Sequence, residues 1–220
     1  VGRIERGTIK VGETVALLGT HGRGKSTLLR AIGGITAPST GAVFYDGEDI
    51  TFLPSHEHVA RGISAVPGGK GVFAGLTVGE NLRMAAFAER EGAEPVSHEV
   101  VFGYFPILRE RLNDDAGNLS GGEQQMLTLA QAFLSRPRLL MIDELSLGLA
   151  PVIVEQLLGI VRAISEQGTT IILLAQSGNV ALTVPKRAGF REKGGSNVSV
   201  SAADTLRPAS LRPPRPPRGR

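Results

Sequence analysis

Eight residues constrain this chain more than any others: Gly19-Thr20-His21-Gly22-Arg23-Gly24-Lys25-Ser26. They fit G-x-x-x-x-G-K-[ST], a pattern that wraps backbone around a phosphate group. Glycines let the chain curl so that several N–H groups aim at one anion. Lys25 can then reach the terminal phosphates of a nucleotide, and the Ser26 hydroxyl can ligate Mg²⁺. A helix opening at Ser26 and Thr27 turns its positive end toward the same charge. The flanks agree, because Glu13–Leu18 reads as a strand and Ser26–Ala31 as a helix start. A chance match would not come with a strand before it and a helix after it. Such a loop commits the chain to an α/β fold.

The totals bound what else is possible. With 220 residues, 41% of them hydrophobic, the chain can bury the core of one large domain, or of one domain plus an appendage. It contains no cysteine, which excludes disulfides, thiolate metal sites and a cysteine nucleophile. No apolar run is long enough to span a bilayer, and no secretory signal opens the sequence. The expectation is a soluble chain, or one held to a membrane by a partner. The net charge of +3 conceals an asymmetry. Residues 186–220 carry nine Lys/Arg against Glu192 and Asp204, a net of +7, so the rest sums to −4. The basic character belongs to the tail, and the body offers nucleic acid no electrostatic footprint.

Along the chain, Ala42–Tyr45 and Ile63–Val66 read as strands, with turns at Asp46-Gly47 and Pro67-Gly68-Gly69. Thr77-Val78-Gly79-Glu80 is a capping box that opens a helix through about Arg90. A second helical stretch runs from Val100 to Leu112. Leu139–Ile142 is a continuous apolar run, as in a parallel strand covered on both faces, and it ends in Asp143-Glu144. Acids at the carboxyl end of such a strand lie where open α/β sheets bind ligands. Pro151–Glu166 is an amphipathic helix, and Thr170–Ala175 another buried strand. After Gln176 no period is sustained. Residues 207–220 are Pro/Arg-rich and predict a disordered or polyproline-like tail.

Leu119-Ser120-Gly121-Gly122-Glu123-Gln124-Gln125 supports two readings. Ser120 with Glu123 is a capping box, and Met126, Leu129, Ala130 and Phe133 form one apolar face, so a helix starts here in any case. The paired glycines need a further reason, since each costs up to ~1 kcal/mol against alanine inside a helix. Close approach of Ser120, Gly121 and Gly122 to an anion supplies one.

The phosphate loop, the Leu119–Gln125 stretch and the apolar strand ending Asp143-Glu144, in that order, resemble the ATP-binding subunits of ABC transporters. Leu119–Gln125 matches that family's signature sequence, and Ser146–Pro151 resembles its D-loop. The wording of Val66–Phe73 and Asp143–Pro151 is most similar to the ATPase subunits of branched-chain amino-acid importers. The resemblance covers roughly residues 12–182. It implies a P-loop NTPase (RecA-like) core with a mostly parallel sheet, an antiparallel β portion and a helical subdomain at about 76–125 that carries the signature motif. The ATPase domain is expected over 1–185, without the family's first strand, followed by a disordered basic tail over 186–220.

The resemblance also implies cofactors, partners and roles. ATP and Mg²⁺ would lie on residues 19–27, with Lys25 on the β/γ-phosphates, Ser26 on the metal and Thr27 on the α-phosphate. Asp143 would hold Mg²⁺ through water, and Glu144 would act as general base. Two subunits, identical or not, would close head to tail, each completing the other's site with Ser120, Gly121 and Gly122. Transmembrane permeases would be direct partners and an extracytoplasmic solute-binding protein an indirect one, placing the chain peripherally on the cytoplasmic face of the membrane. Three positions depart from the family pattern. Gly68 stands where Gln, or Glu, is usual. No histidine follows the Thr170–Ala175 strand, so Gln176 is the nearest match to the switch residue. No aromatic residue precedes Phe44 to stack on adenine. These departures motivate a second expectation, a truncated, non-hydrolysing homologue that serves only as an interaction module.

Overall fold

In the computed structural model the described residues are 7–18, 25–68, 71–86, 96–145, 148–175, 188–190 and 198–201. Five strands form an all-parallel sheet: β2 (Thr14–Leu18), β5 (Ile63–Val66), β6 (Leu139–Asp143), β7 (Thr170–Ala175) and β8 (Ala188–Phe190). Their order is β5-β6-β7-β2-β8. A smaller sheet has the order β1-β9-β3-β4, from β1 (Gly7–Lys10), β9 (Val198–Ser201), β3 (Phe44–Tyr45) and β4 (Glu48–Asp49). Its antiparallel portion is the β3–β4 hairpin. The Asp46-Gly47 turn has positive φ at both residues, 51° and 82°, as a two-residue hairpin loop of the I′ type requires.

The apolar runs read from the sequence are covered on both faces. Leu140, Ile142, Ile171 and Leu173 join one core cluster with the helices α6 (Gly121–Leu134) and α7 (Pro151–Glu166). Leu139, Met141, Ile172 and Leu174 alternate with them and join Val15, Leu17, Leu29 and Ile32 in a second cluster. That second cluster takes in α1 (Lys25–Ile32). The result is a three-layer sandwich, which explains why neither strand shows a polar face.

Between β5 and α6 the described residues hold three α-helices, α3 (Val78–Ala86), α4 (His98–Tyr104) and α5 (Pro106–Glu110), and a short 3-10 helix at Ala116–Asn118. A single helix was expected over 100–112, and the structure breaks it at Phe105 (φ −128°, ψ 67°). Pro106 is the cause: it has no N–H to donate, and its ring drives the preceding residue out of the helical region. Ahead of residue 19 a turn and the single strand Glu13–Leu18 were expected, yet β1 precedes β2. The short helix α2 (Ser55–Ala60) was not expected either. Beyond residue 185 the chain is not uniformly without structure, since β8 and β9 fall there. Val198-Ser199-Val200-Ser201 alternates as a strand should, and it fills the gap between β1 and β3. Residues 207–220 lie outside the described residues.

Candidate functional site

The parallel sheet brings three chain ends to one edge. Leu18 is in register with Ala175, and Asp143 with Leu174, so β2, β7 and β6 end side by side. At about 4.8 Å per strand, β2 and β6 are roughly 10 Å apart with β7 between them. The end of β2, which leads into residue 19, and the acids that end β6 therefore lie along the same side of the sheet. Of the predicted loop, Gly19, Thr20, His21, Gly22, Arg23 and Gly24 lie outside the described residues, as does Gln176. Lys25 is the first residue of α1, and Ser26 and Thr27 follow in its first turn, exposed. That turn carries no acidic residue, so no like charge competes with an anion at the helix's positive end.

α1 is fixed at its other end. Gly33, Gly34 and Ile35 donate to the carbonyls of Leu29, Ala31 and Arg30, and Gly34 has φ 68°. This is a left-handed glycine cap. His58, wholly buried on α2, lies 2.8 Å through Nδ1 from the Ile32 carbonyl. A carbonyl only accepts, so the proton is on Nδ1. A Cβ on Gly34 would stand 2.5 Å from His58 Cδ2. His56, two residues earlier, is exposed, whereas His58 is a buried cap. Among the described residues no group of three His, Asp or Glu could hold a metal ion.

At the opposite side of the site, Asp143 closes β6 and Glu144 follows, both half-buried. Glu144 is left-handed, with φ 48°, and its N–H donates to the Leu174 carbonyl at 3.2 Å. A non-glycine residue held there costs of order 1–3 kcal/mol, a strain that clusters at functional positions. Gly68 fits against this turn. A Cβ at position 68 would lie 3.1 Å from the Asp143 carbonyl oxygen and 3.3 Å from Glu144 Cβ.

The signature stretch forms the predicted capping box. Ser120 Oγ accepts from the Glu123 N–H at 3.3 Å, and Glu123 Oε2 accepts from the Ser120 N–H at 2.7 Å. Gln124 N–H already reaches the Ser120 carbonyl. That leaves the N–H groups of Gly121 and Gly122, which a helix cannot satisfy internally. α3 begins with the same box, Thr77 with Glu80, yet its equivalent groups are spent. Val78 N–H donates to Asp114 O at 3.0 Å and Gly79 N–H to Leu112 O at 2.9 Å. Among the described residues nothing does this at α6. The two glycines differ in their reason for being glycine, which corrects the sequence argument. Gly121 is exposed, and a Cβ there would make only an ordinary contact, 3.7 Å from Leu149 Cδ2. Gly122 is buried, and a Cβ there would meet Ile153 Cγ2 at 2.9 Å. Packing inside the chain accounts for Gly122.

A family profile for ABC transporters matches residues 6–146. The chain belongs to the ABC transporter family, as one of its ATPase subunits. It is 42% identical over 186 residues to the high-affinity branched-chain amino acid transport ATP-binding protein BraG of Pseudomonas aeruginosa, spanning 84% of this chain and 80% of that protein. It is 37% identical over 199 residues to the probable branched-chain amino acid transport ATP-binding protein LivF of Archaeoglobus fulgidus, spanning 90% and 84%. The lipopolysaccharide export ATP-binding protein LptB of Escherichia coli is 31% identical over 192 residues, spanning 85% and 78%. A dimeric ATP-binding cassette solved after hydrolysis, with ADP and phosphate bound, matches with a TM-score of 0.70 and 26% identity over 80% of each chain.

ABC ATPases bind ATP. In this ABC subunit one further device near the site escaped sequence reasoning. Asn81, wholly buried on α3, fastens the loop between β5 and α3. Its Oδ1 accepts from the Phe73 N–H at 2.8 Å, and its Nδ2 serves the carbonyls of Phe73, Leu76 and Thr77. Gln131 of α6 donates to Asn81 as well. Gly71 lies against Thr128, where a Cβ would come within 2.2 Å of Cγ2. The loop is therefore pinned to α6 while the Phe73 side chain stays 56% exposed. The only available signal was an Asn one turn beyond a capping box, which by itself says nothing.

Proposed function

We propose that this ABC ATPase powers uptake of branched-chain amino acids or similar small solutes, working as a head-to-tail pair of ATPase subunits beneath permease subunits. The observation that supports the reading is the shared edge of β2, β7 and β6, which brings the end of the strand leading into residues 19–26 to within one intervening strand of Asp143. The relatives named for branched-chain amino acid transport supply the solute class.

Residues 19–27 cradle the phosphates, with Lys25 neutralising the β/γ charge and Thr27 at the α-phosphate. The hard oxygens of Ser26 and Asp143 fit Mg²⁺, Asp143 through water. That ion, when bound, screens phosphate charge. Glu144 orients and deprotonates the attacking water, and Gln176, next after β7, takes the place of the switch residue. The unspent N–H groups of Gly121 and Gly122, with Ser120, complete the γ-phosphate site of the second subunit. Among the described residues no helix is long and apolar enough to cross a membrane. In this reading permeases hold the chain at the cytoplasmic face. Phe73 faces them, and the extracytoplasmic solute-binding protein is reached only through them.

The test is Mg-ATP hydrolysis by the full chain with its permeases in vesicles, with and without leucine outside. Glu144→Gln lowers turnover by about 10²–10⁴-fold while ATP still binds. Turnover indifferent to that change sinks the catalytic assignment. One observation favours a second reading, a non-hydrolysing docking module: Gly68 offers no side chain where the family usually has a metal-ligating one. ATP binding without turnover in the wild-type complex would establish it.

A further inference from the structure

α6 and α7 meet at their first turns. Pro151 opens α7, and Ile153 donates to the Ala150 carbonyl at 3.0 Å, which fixes its backbone. Its side chain enters the notch left by Gly122. Cγ2 stands 2.9 Å from where a Gly122 Cβ would be, and Cγ1 and Cβ stand 3.7 and 3.8 Å away. Ile153 cannot swing aside, because a β-branched side chain is stiff at χ1 and Cγ2 sits directly on Cβ. Leu149 approaches the neighbouring Gly121, 3.7 Å from its missing Cβ. Both side chains pack on the cluster that holds Leu119 and Met126. The segment that supplies them begins at Leu145, which is buried directly after Glu144.

We propose that Ile153 is a positioning residue for the phosphate half-site at the start of α6. It sets the height at which the Gly121 and Gly122 N–H groups are presented. This rests on the proposed pairing of two subunits, and it adds a packing contact from α7 that shapes the half-site each chain lends.

A size-exchange cycle tests it, in the full chain carrying Glu144→Gln so that ATP persists. The readout is ATP-driven dimerisation by light scattering. Gly122→Ala is expected to weaken the dimer about tenfold or more, by overfilling the notch. Adding Ile153→Ala is expected to restore it to within about threefold of the reference. Ile153→Ala alone is expected to weaken dimerisation by about threefold to tenfold and to move binding of a fluorescent ATP analogue to the monomer by less than about twofold. A double variant no better than Gly122→Ala overturns the proposal. So does an Ile153→Ala protein whose monomer binding falls as far as its dimerisation, the mark of a plain core residue. A Glu144→Gln reference that never dimerises with Mg-ATP refutes the pairing itself, and this inference with it. A dimerising reference without rescue refutes only the role of Ile153.

Discussion

Gly68 and Glu144 touch across the ends of neighbouring strands: a methyl group on Gly68 would come within 3.3 Å of Glu144 Cβ and 3.1 Å of the Asp143 carbonyl. Gly68→Ala therefore requires β6 to give by a few tenths of an ångström at the acid turn itself. The cost is about 1–2 kcal/mol. At this chain length that lowers the melting temperature by roughly 2–8 °C. ATP turnover is expected to fall by about threefold to tenfold, with ATP affinity within about twofold. Steady-state kinetics on Gly68→Ala check the split. A fall in affinity with unchanged turnover would contradict the placement of Gly68 beside the acid.

Glu144 occupies a backbone conformation that glycine adopts without strain. Glu144→Gly is expected to raise stability by about 1 kcal/mol while removing the carboxylate proposed above to activate water. Turnover then falls by about 10²–10⁴-fold. Denaturant unfolding and hydrolysis assays on one preparation read both. A destabilised Glu144→Gly would mean that the turn is held by side-chain contacts rather than tolerated at a cost.

His58 and Gly34 fasten the rear of α1. His58→Ala opens a cavity and strands the Ile32 carbonyl, so it is expected to cost about 2–4 kcal/mol. Gly34→Ala meets both the ring and an unfavourable φ, and is expected to cost at least about 2 kcal/mol. Urea unfolding measures each. Because the two residues share one contact, the double variant should lose less than the two single losses added together.

Hydrogen bonds from the Thr77 backbone and then its hydroxyl hold the Glu80 carboxyl below the usual glutamate range, against a smaller opposing effect of burial. The folded chain thus keeps this group ionised at lower pH than the unfolded chain does. The stabilisation is full above the ordinary glutamate pKa and is lost as pH falls through the depressed folded value. Glu80→Gln removes that acid-side loss. Unfolding curves at neutral pH and near pH 3 should differ less for the variant than for the wild type.

The fold was legible wherever one residue's surroundings follow from its neighbours in sequence. Leu139–Ile142 and Thr170–Ala175 have no polar face because they are covered on both sides, and a run of apolar residues says so directly. Thr77 with Glu80 and Ser120 with Glu123 are boxes within one turn, and both formed. Pro106 was in plain sight, yet the apolar positions Val101, Phe102, Phe105 and Leu108 carried the period across it and hid the break. α2 was illegible because six residues, Ser55–Ala60, are too few to show a period. The site was half legible. Asp143-Glu144 and Ser120-Gly121-Gly122 stood out by composition. That Gly68 meets Glu144, or that Ile153 fills the place of a Gly122 side chain, depends on contacts between distant segments, which no local pattern records.

The pairing of β2 with β7 sets Thr14 beside Ile171. The strand that leads into residue 19 leaves the ribosome well before its neighbour, since α1 through α7 lie between them in the chain. Until residue 175 emerges, β2 has an unpaired apolar edge, and closing that long loop must precede any reward from the contact. Assembly of the nucleotide end of the sheet is thus a late event in biogenesis, and nascent chains stalled before β7 are the ones a chaperone must shield.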